Sequence, residues 1–324
     1  MSPRVEGPGY RPCGLYRHAH LATSLPTLLR RVDGVSWRRQ RITLADGDFL
    51  DLDFCGGGTP GDRPTVVLCH GLEGNTGRQY MLGMAREFAR AGWHVVGMNY
   101  RGCSGEPNRR AFSYHSGATE DLREVLAHLA GAGHRVRALV GFSLGGNLIL
   151  KYLGEDPAGV SADLQAAVVF SVPIDLADGE RQLRRRTNVL YRRRFLRKLI
   201  AKIEQKAAMF PEEINRDQLT RVRNLWDFDE FFTGPLSGYA GAEDYYRRCS
   251  SRQFLPRITL PTLLVSAQDD PILGPRCYPV EEAEASSCFH FEMPRHGGHV
   301  GFRLPGGVYY SEQRAVAFVQ GFTG

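Results

Sequence analysis

Short apolar, β-branched runs alternate along this chain with stretches whose apolar positions recur every three or four residues, the signature of strands interleaved with helices. Thr65 to Cys69 reads as a buried strand ending in a Gly-rich turn, and a helix follows from about Arg78 to Ala91, with Gly92 as its stop. His94 to Asn99 is the next strand and Ala118 to Ala130 the next helix. Arg137 to Gly141 then runs through Ser143 into a helix from Leu144 to Leu153, and Ala166 to Ser171 is a further strand. The alternation resumes after Pro261, with strands at Thr262 to Ala267 and Ser287 to Glu292 and a closing helix from about Val308 to Phe322. This order implies an α/β fold with a mainly parallel central sheet flanked by helices.

Nothing between Pro173 and Pro261 reads as a buried strand. Asn188 to Phe210 instead places Leu196, Leu199, Ile200, Ile203, Ala207 and Phe210 at helical spacing, an amphipathic helix with a basic opposite face. The expected organisation is one α/β core, residues 1–172 and 256–324, with an N-terminal extension over 1–40 and a helical cap inserted at 173–255. A length of 324 residues accommodates that plan.

Composition changes the picture in three places. Seven cysteines with no close pair fit reduced buried thiols better than disulfides or a zinc site, so no metal and no cofactor are expected. No apolar run approaches the ~20 residues that span a bilayer and the first residues carry no apolar leader, so a cytoplasmic location is expected. The formal charge is +6, but Leu176 to Arg223 alone holds fourteen Lys and Arg against six Asp and Glu, leaving the remainder near neutral. The basic character therefore belongs to the insertion. No nucleic-acid-binding module accompanies it, and no nucleic-acid partner is expected.

The most informative stretch is Gly141-Phe142-Ser143-Leu144-Gly145, where a strand passes into a helix without pause. A serine on such a sharp turn sits in strained backbone, and its neighbours two residues away must lack large side chains. The helix points its first N–H groups at the place where an oxyanion would form, making the N–H of Leu144 one donor. His70-Gly71-Leu72-Glu73-Gly74, directly after an early strand, is placed to supply the second donor from the N–H of Leu72.

A serine nucleophile needs a histidine base, and the histidine needs a carboxylate to fix its tautomer. Two late loops offer them. Gln268-Asp269-Asp270-Pro271 follows one strand, and Pro294-Arg295-His296-Gly297-Gly298-His299 follows the last. Asp270 is preferred over Asp269 because it immediately precedes the proline-led turn, and His299 over His296 because two glycines free the backbone to swing it inward. Asp175 is an alternative acid. His70, His296, Asp269 and His115 are expected around this group. Asn99, Arg101 and His115 read more simply as buried polar groups satisfied by their surroundings than as substrate contacts.

With these elements placed, the chain resembles the α/β-hydrolase superfamily from about Thr65 to Gly324. More narrowly it is similar to the YheT-like group, related to ABHD1/ABHD3-type hydrolases. The narrower likeness rests on the elbow and the loop at His70, on Asn99-Tyr100-Arg101-Gly102-Cys103-Ser104-Gly105-Glu106, Ser113-Tyr114-His115-Ser116-Gly117 and His296 to Phe302, and extends to the segment from His20-Leu21-Ala22-Thr23 to Arg30. The resemblance implies carboxylic-ester hydrolysis, with Ser143, Asp270 and His299 on the family's triad positions. It departs from the pattern at Ala22, where a Gln is usual, and in the Arg-rich insertion.

The expected function is thus a serine hydrolase acting through an acyl-enzyme on short- to medium-chain, acylglycerol-like or lipid-like esters, with a small-molecule ester as its partner. Acyl transfer by the same triad is one alternative. Peripheral contact with an anionic membrane through the basic insertion is another, because a basic amphipathic helix can lie against anionic headgroups.

Overall fold

The computed structural model describes residues 5–6 and 9–323. Its described strands are β1 (Val5–Glu6), β2 (Arg38–Thr43), β3 (Phe49–Cys55), β4 (Pro64–Cys69), β5 (His94–Asn99), β6 (Arg135–Phe142), β7 (Ala166–Phe170), β8 (Thr262–Val265) and β9 (Phe289–Glu292). They form one sheet in the order β1-β9-β8-β7-β6-β4-β5-β3-β2. Pairing is parallel from β1 to β5 and antiparallel where β3 meets β5 and β2 meets β3.

Helices α1 (Ala19–Leu29), α2 (Gln79–Arg90), α3 (Thr119–Gly131), α4 (Leu144–Glu155), α10 (Val280–Glu284) and α11 (Tyr310–Gln320) belong to the body. Between β7 and β8 lie α5 (Leu176–Leu183), α6 (Val189–Met209), α7 (Leu225–Phe228), α8 (Gly234–Leu236) and α9 (Ala242–Cys249), with a π-helical turn at Asp229–Thr233 joining α7 to α8. The central strands alternate between two cores. Val67, Leu139 and Val169 pack with residues of α3 and α4 on one face, whereas Val66, Val140 and Val168 pack with α2 and α11 on the other. Each such fully buried aliphatic contributes roughly 1.5–3 kcal/mol.

The β2–β3 hairpin is absent from the reading of the sequence. β2 is mostly polar, and β3 carries Asp51 and Asp53, both buried. Those acids are tolerated because Arg41 and Arg39 of β2 grip them in paired hydrogen bonds of 2.8–2.9 Å. The local signal was Asp46-Gly47-Asp48 between the two runs, with Gly47 at φ 80° in the turn.

The insertion helices have their own apolar cluster, in which Leu196, Ile203 and Ala207 of α6 meet Ile214, Val222 and Phe232. The basic face of α6 is divided. Arg193, Arg194 and Arg197 are exposed, whereas Lys198, Lys202 and Lys206, spaced by single turns, reach into the body. Lys202 pairs with Glu73 at 2.7 Å, and fully buried Lys206 donates to the carbonyls of Asn108 and Arg110. Burial lowers Lys206 to about 8. At 100° per residue, periodicity puts Arg194 and Lys198 opposite the apolar stripe and carries Lys202 and Lys206 progressively round to its border beside Leu199. The tertiary structure turns the lysine stripe inward, where it ties the insertion to the loops after β4 and β5.

The cysteines are all free, but Cys13 is exposed and Cys55 and Cys288 are only partly covered, so burial is not general among them. Among the described residues, no helix is long and apolar enough to cross a membrane.

Candidate active site

The sheet register brings the candidate residues to one edge. Cys69 of β4 lies opposite Gly141 of β6, Phe142 opposite Phe170 of β7, and Val265 of β8 opposite Glu292 of β9. The loops carrying His70, Ser143, Asp270 and His299 therefore all leave from the carboxyl edge, where ligands bind in sheets of this kind.

Ser143 has φ 52°, in the left-handed region, a strain of about 1–3 kcal/mol for a residue with a side chain. It is held there by its N–H, which donates to Phe170 O at 2.8 Å, and by its carbonyl, which accepts from the N–H of Gly146 and Asn147. A side chain at Gly145 would collide with the Cys69 carbonyl and come within 2.6 Å of the His70 carbonyl; one at Gly141 would come within 2.6 Å of the Gly145 carbonyl. Gly145 is thus required by close packing of the turn against the end of β4, and Gly141 by close packing against the first turn of α4.

Across from the elbow, neighbouring backbone groups are occupied. Gly71 N–H donates to Tyr80 Oη at 3.0 Å, Glu73 N–H to Tyr114 Oη at 2.7 Å, and Gly74 N–H to Gly71 O at 2.9 Å. The N–H groups of Leu72 and Leu144 have no acceptor among the described residues. His70 is fully buried; the N–H of Tyr100 donates to its Nε2, so Nδ1 carries the proton and donates to Gly71 O at 2.8 Å. Burial pushes His70 down to about 3, so it stays neutral and braces this loop.

Asp270 is buried, accepts the N–H of Ile272 at 2.9 Å, and receives His299 Nδ1 at 2.9 Å on Oδ2 and 3.2 Å on Oδ1. The protonated Nδ1 leaves Nε2 as the basic nitrogen. Gly297 and Gly298 have φ of 151° and 57°. The loop is tied at three points: His299 N–H donates to Thr23 Oγ1 and Val300 N–H to Ser171 Oγ, each at 2.9 Å, and Gly298 N–H to Asp269 Oδ1, also at 2.9 Å. Ser143 and His299 line the same two cavities.

The remaining candidates separate by contact. Asp269 also holds His296 Nδ1 at 3.2 Å, away from the Asp270–His299 pair. Asp175 caps α5 by accepting Asp178 N–H and pairs with Arg276 at 2.7 Å, so it does not contact His299. His115 accepts Gly117 N–H and packs against Tyr239 and Tyr245; burial lowers it to about 3. Asn99 bonds Asp53 and Thr76, and Arg101 bonds Asp121, Asp46 and Asp48, which is structural satisfaction of buried groups.

Thr23, Ser171, Tyr80 and Tyr114 were missed as supporting residues. Thr23 and Tyr114 lie in segments that carry the family likeness; Ser171 and Tyr80 are brought in by the fold.

Two cavities meet at Ser143. One, about 230 Å³, lies under α1 and the start of α6 and is lined by Arg30, Arg78, Arg194 and Lys198. The other, about 120 Å³, runs beneath the insertion and is walled by Leu176, Leu183, Leu199, Leu225 and Ile272, with Asp229 and Glu180 also on its surface. Tyr246 Oη donates to Asp229 Oδ2 at 2.6 Å, and burial raises that carboxyl to about 6.

The alpha/beta hydrolase fold family model matches residues 64–302, and the chain belongs to that family. It is 38% identical over 291 residues to the Escherichia coli (strain K12) protein named "Putative esterase YheT", covering 89% of this chain and 85% of that one. It is 30% identical over 276 residues to mouse phospholipase ABHD3, covering 83% of this chain and 67% of the relative. Among solved structures, the Pyrococcus furiosus esterase Pf2001 matches the fold with a TM-score of 0.60 at 15% identity, over 91% of this chain and 96% of that one.

Proposed function

We propose that the protein hydrolyses carboxylic esters through Ser143, His299 and Asp270. The observation that carries the reading is the Asp270–His299 hydrogen bond on a histidine that shares its cavities with the strained serine. His299 Nε2 takes the Ser143 proton as Oγ attacks the acyl carbon. The Leu72 and Leu144 N–H groups stabilise the oxyanion, and the imidazolium returns its proton to the departing alcohol. Water then enters, is deprotonated by the same nitrogen, and releases the acid. Asp270 orients the ring and stabilises the imidazolium.

In this reading the helices between β7 and β8 act as a cap, and the apolar cavity beneath them takes the acyl chain. The relatives named esterase and phospholipase support ester bonds as the substrate class. Purified protein is expected to hydrolyse p-nitrophenyl acyl esters and to be labelled by a fluorophosphonate probe. Ser143→Ala is expected to lose both while keeping its melting temperature; retained hydrolysis would overturn the proposal.

A further inference from the structure

The two cavities that meet at Ser143 have opposite chemistry. The smaller is walled largely by leucines of the insertion, with Tyr114, His115, Tyr245 and Tyr246 beside them, and among the described residues its acids are Glu180 and Asp229. The larger carries four cations, Arg30, Arg78, Arg194 and Lys198, and a single acid, Glu73. That acid is already committed, because its carboxylate pairs with Lys202 and accepts the Tyr114 hydroxyl at 2.8 Å. Arg30 is likewise paired, with Glu312, and lies over the Tyr309 ring.

Among the described residues the other three cations have no carboxylate partner. Arg78 Nη2 and Lys198 Nζ donate to one and the same neutral acceptor, the backbone carbonyl of Glu73, at 3.2 and 3.0 Å. Arg194, one turn before Lys198 on α6, is exposed on the cavity wall and forms no ion pair. Two cations meeting at one carbonyl beside the catalytic serine leave donors and charge unspent, and Lys198 is half-buried and lowered by desolvation, then by Arg78. An anionic group would relieve both costs.

The geometry points to an anion-recognition subsite formed by Arg78, Arg194 and Lys198, which takes a phosphate or carboxylate borne on the alcohol side of the scissile ester while the acyl chain enters the apolar cavity. The inference rests on Ser143 being the nucleophile. The assignment of sides follows from the walls: an alkyl chain gains by entering the aliphatic cavity and a charged group loses there. Arg78 and Lys198, held at the Glu73 carbonyl, make charge-assisted hydrogen bonds to such a group, which are stronger than neutral ones.

The test separates the subsite from the chemistry. Binding of glycerol 3-phosphate to Ser143→Ala, measured by titration calorimetry, needs no turnover. Saturable binding is expected, weakened about tenfold by Lys198→Gln and restored by Lys198→Arg; no binding to a folded Ser143→Ala overturns the subsite. Turnover of monomeric 1-octanoylglycerol 3-phosphate, of the octanoyl ester of glycolate, and of neutral 1-octanoylglycerol then identifies the preferred anion. At least one anionic ester is expected to exceed the neutral one about tenfold in kcat/KM, through KM, and Arg194→Gln is expected to narrow the ratio severalfold. Equal turnover of all three overturns the proposal, as does inorganic phosphate competing as well as glycerol 3-phosphate, which would make this a free-phosphate site. Absence of any ester hydrolysis with binding intact would instead overturn the proposed function alone.

Discussion

The hydroxyl of Thr23 on α1 accepts the backbone N–H of His299 at 2.9 Å, across 276 residues of sequence. Thr23 in turn donates to Ala19 O, so one side chain ties the N-terminal helix to the loop that carries the base. Thr23→Val removes the acceptor while keeping the shape. The expected outcome is a fall of about tenfold in kcat of ester hydrolysis with KM little changed, because the imidazole loses one positioning contact; a change confined to KM would contradict this.

The strain at Ser143 can be measured apart from its chemistry. Ser143→Ala keeps a side chain at φ 52°, whereas Ser143→Gly releases it. Both variants are expected to be inactive, with the glycine variant about 1 kcal/mol more stable than the alanine variant in urea unfolding. Equal stability would mean that the turn is unstrained.

Asp270 acts only through His299. Asp270→Asn is expected to lower kcat by about 10³–10⁴, by favouring the wrong imidazole tautomer, and to leave binding of glycerol 3-phosphate intact. Asp269→Asn, which alters the His296 side of the loop, is expected to cost far less; the reverse order in steady-state kinetics would reassign the acid.

His115 and His70 stay neutral inside the fold, whereas in the unfolded chain each takes a proton below about pH 6.5. Folding stability is therefore unaffected above that pH and falls by about 1.4 kcal/mol per pH unit for each histidine as the pH drops toward 3, where they titrate in the fold. His115→Gln should flatten the acid limb of a stability–pH curve by one such increment between pH 6.5 and 4.5. An unchanged slope would show that His115 is not buried neutral.

Asp229 has the opposite sign. Its pKa is raised to about 6, so it destabilises the fold where it must be ionised, above that pH, and the cost fades as the pH falls toward the ordinary carboxylate range. Asp229→Asn is expected to stabilise the protein by on the order of 2 kcal/mol at pH 7.5 and by little at pH 4.5. Equal effects at both pH values would rule this out.

The sequence by itself determined the alternation of β4 to β9 with their helices, the elbow, and the loop order Ser143, Asp270, His299, because these depend on local periodicity and on glycines that local backbone requires. It did not reveal β2 and β3. Their buried Asp51 and Asp53 look unlike strand interiors until Arg39 and Arg41 arrive from the neighbouring strand. Asp270 is preferred over Asp269 from its place before the proline-led turn, but both carboxylates sit in one loop, and the contact of Asp270 with His299 and of Asp269 with His296 comes from the direction of the last loop. Tertiary structure alone decided the fate of the insertion's charge. Helical spacing sets Arg194 opposite the apolar stripe of α6 and Lys206 at its border, but a lysine's long stem lets its ammonium reach carbonyls in a neighbouring loop, and which loop lies within reach is a property of packing that no single stretch of chain contains.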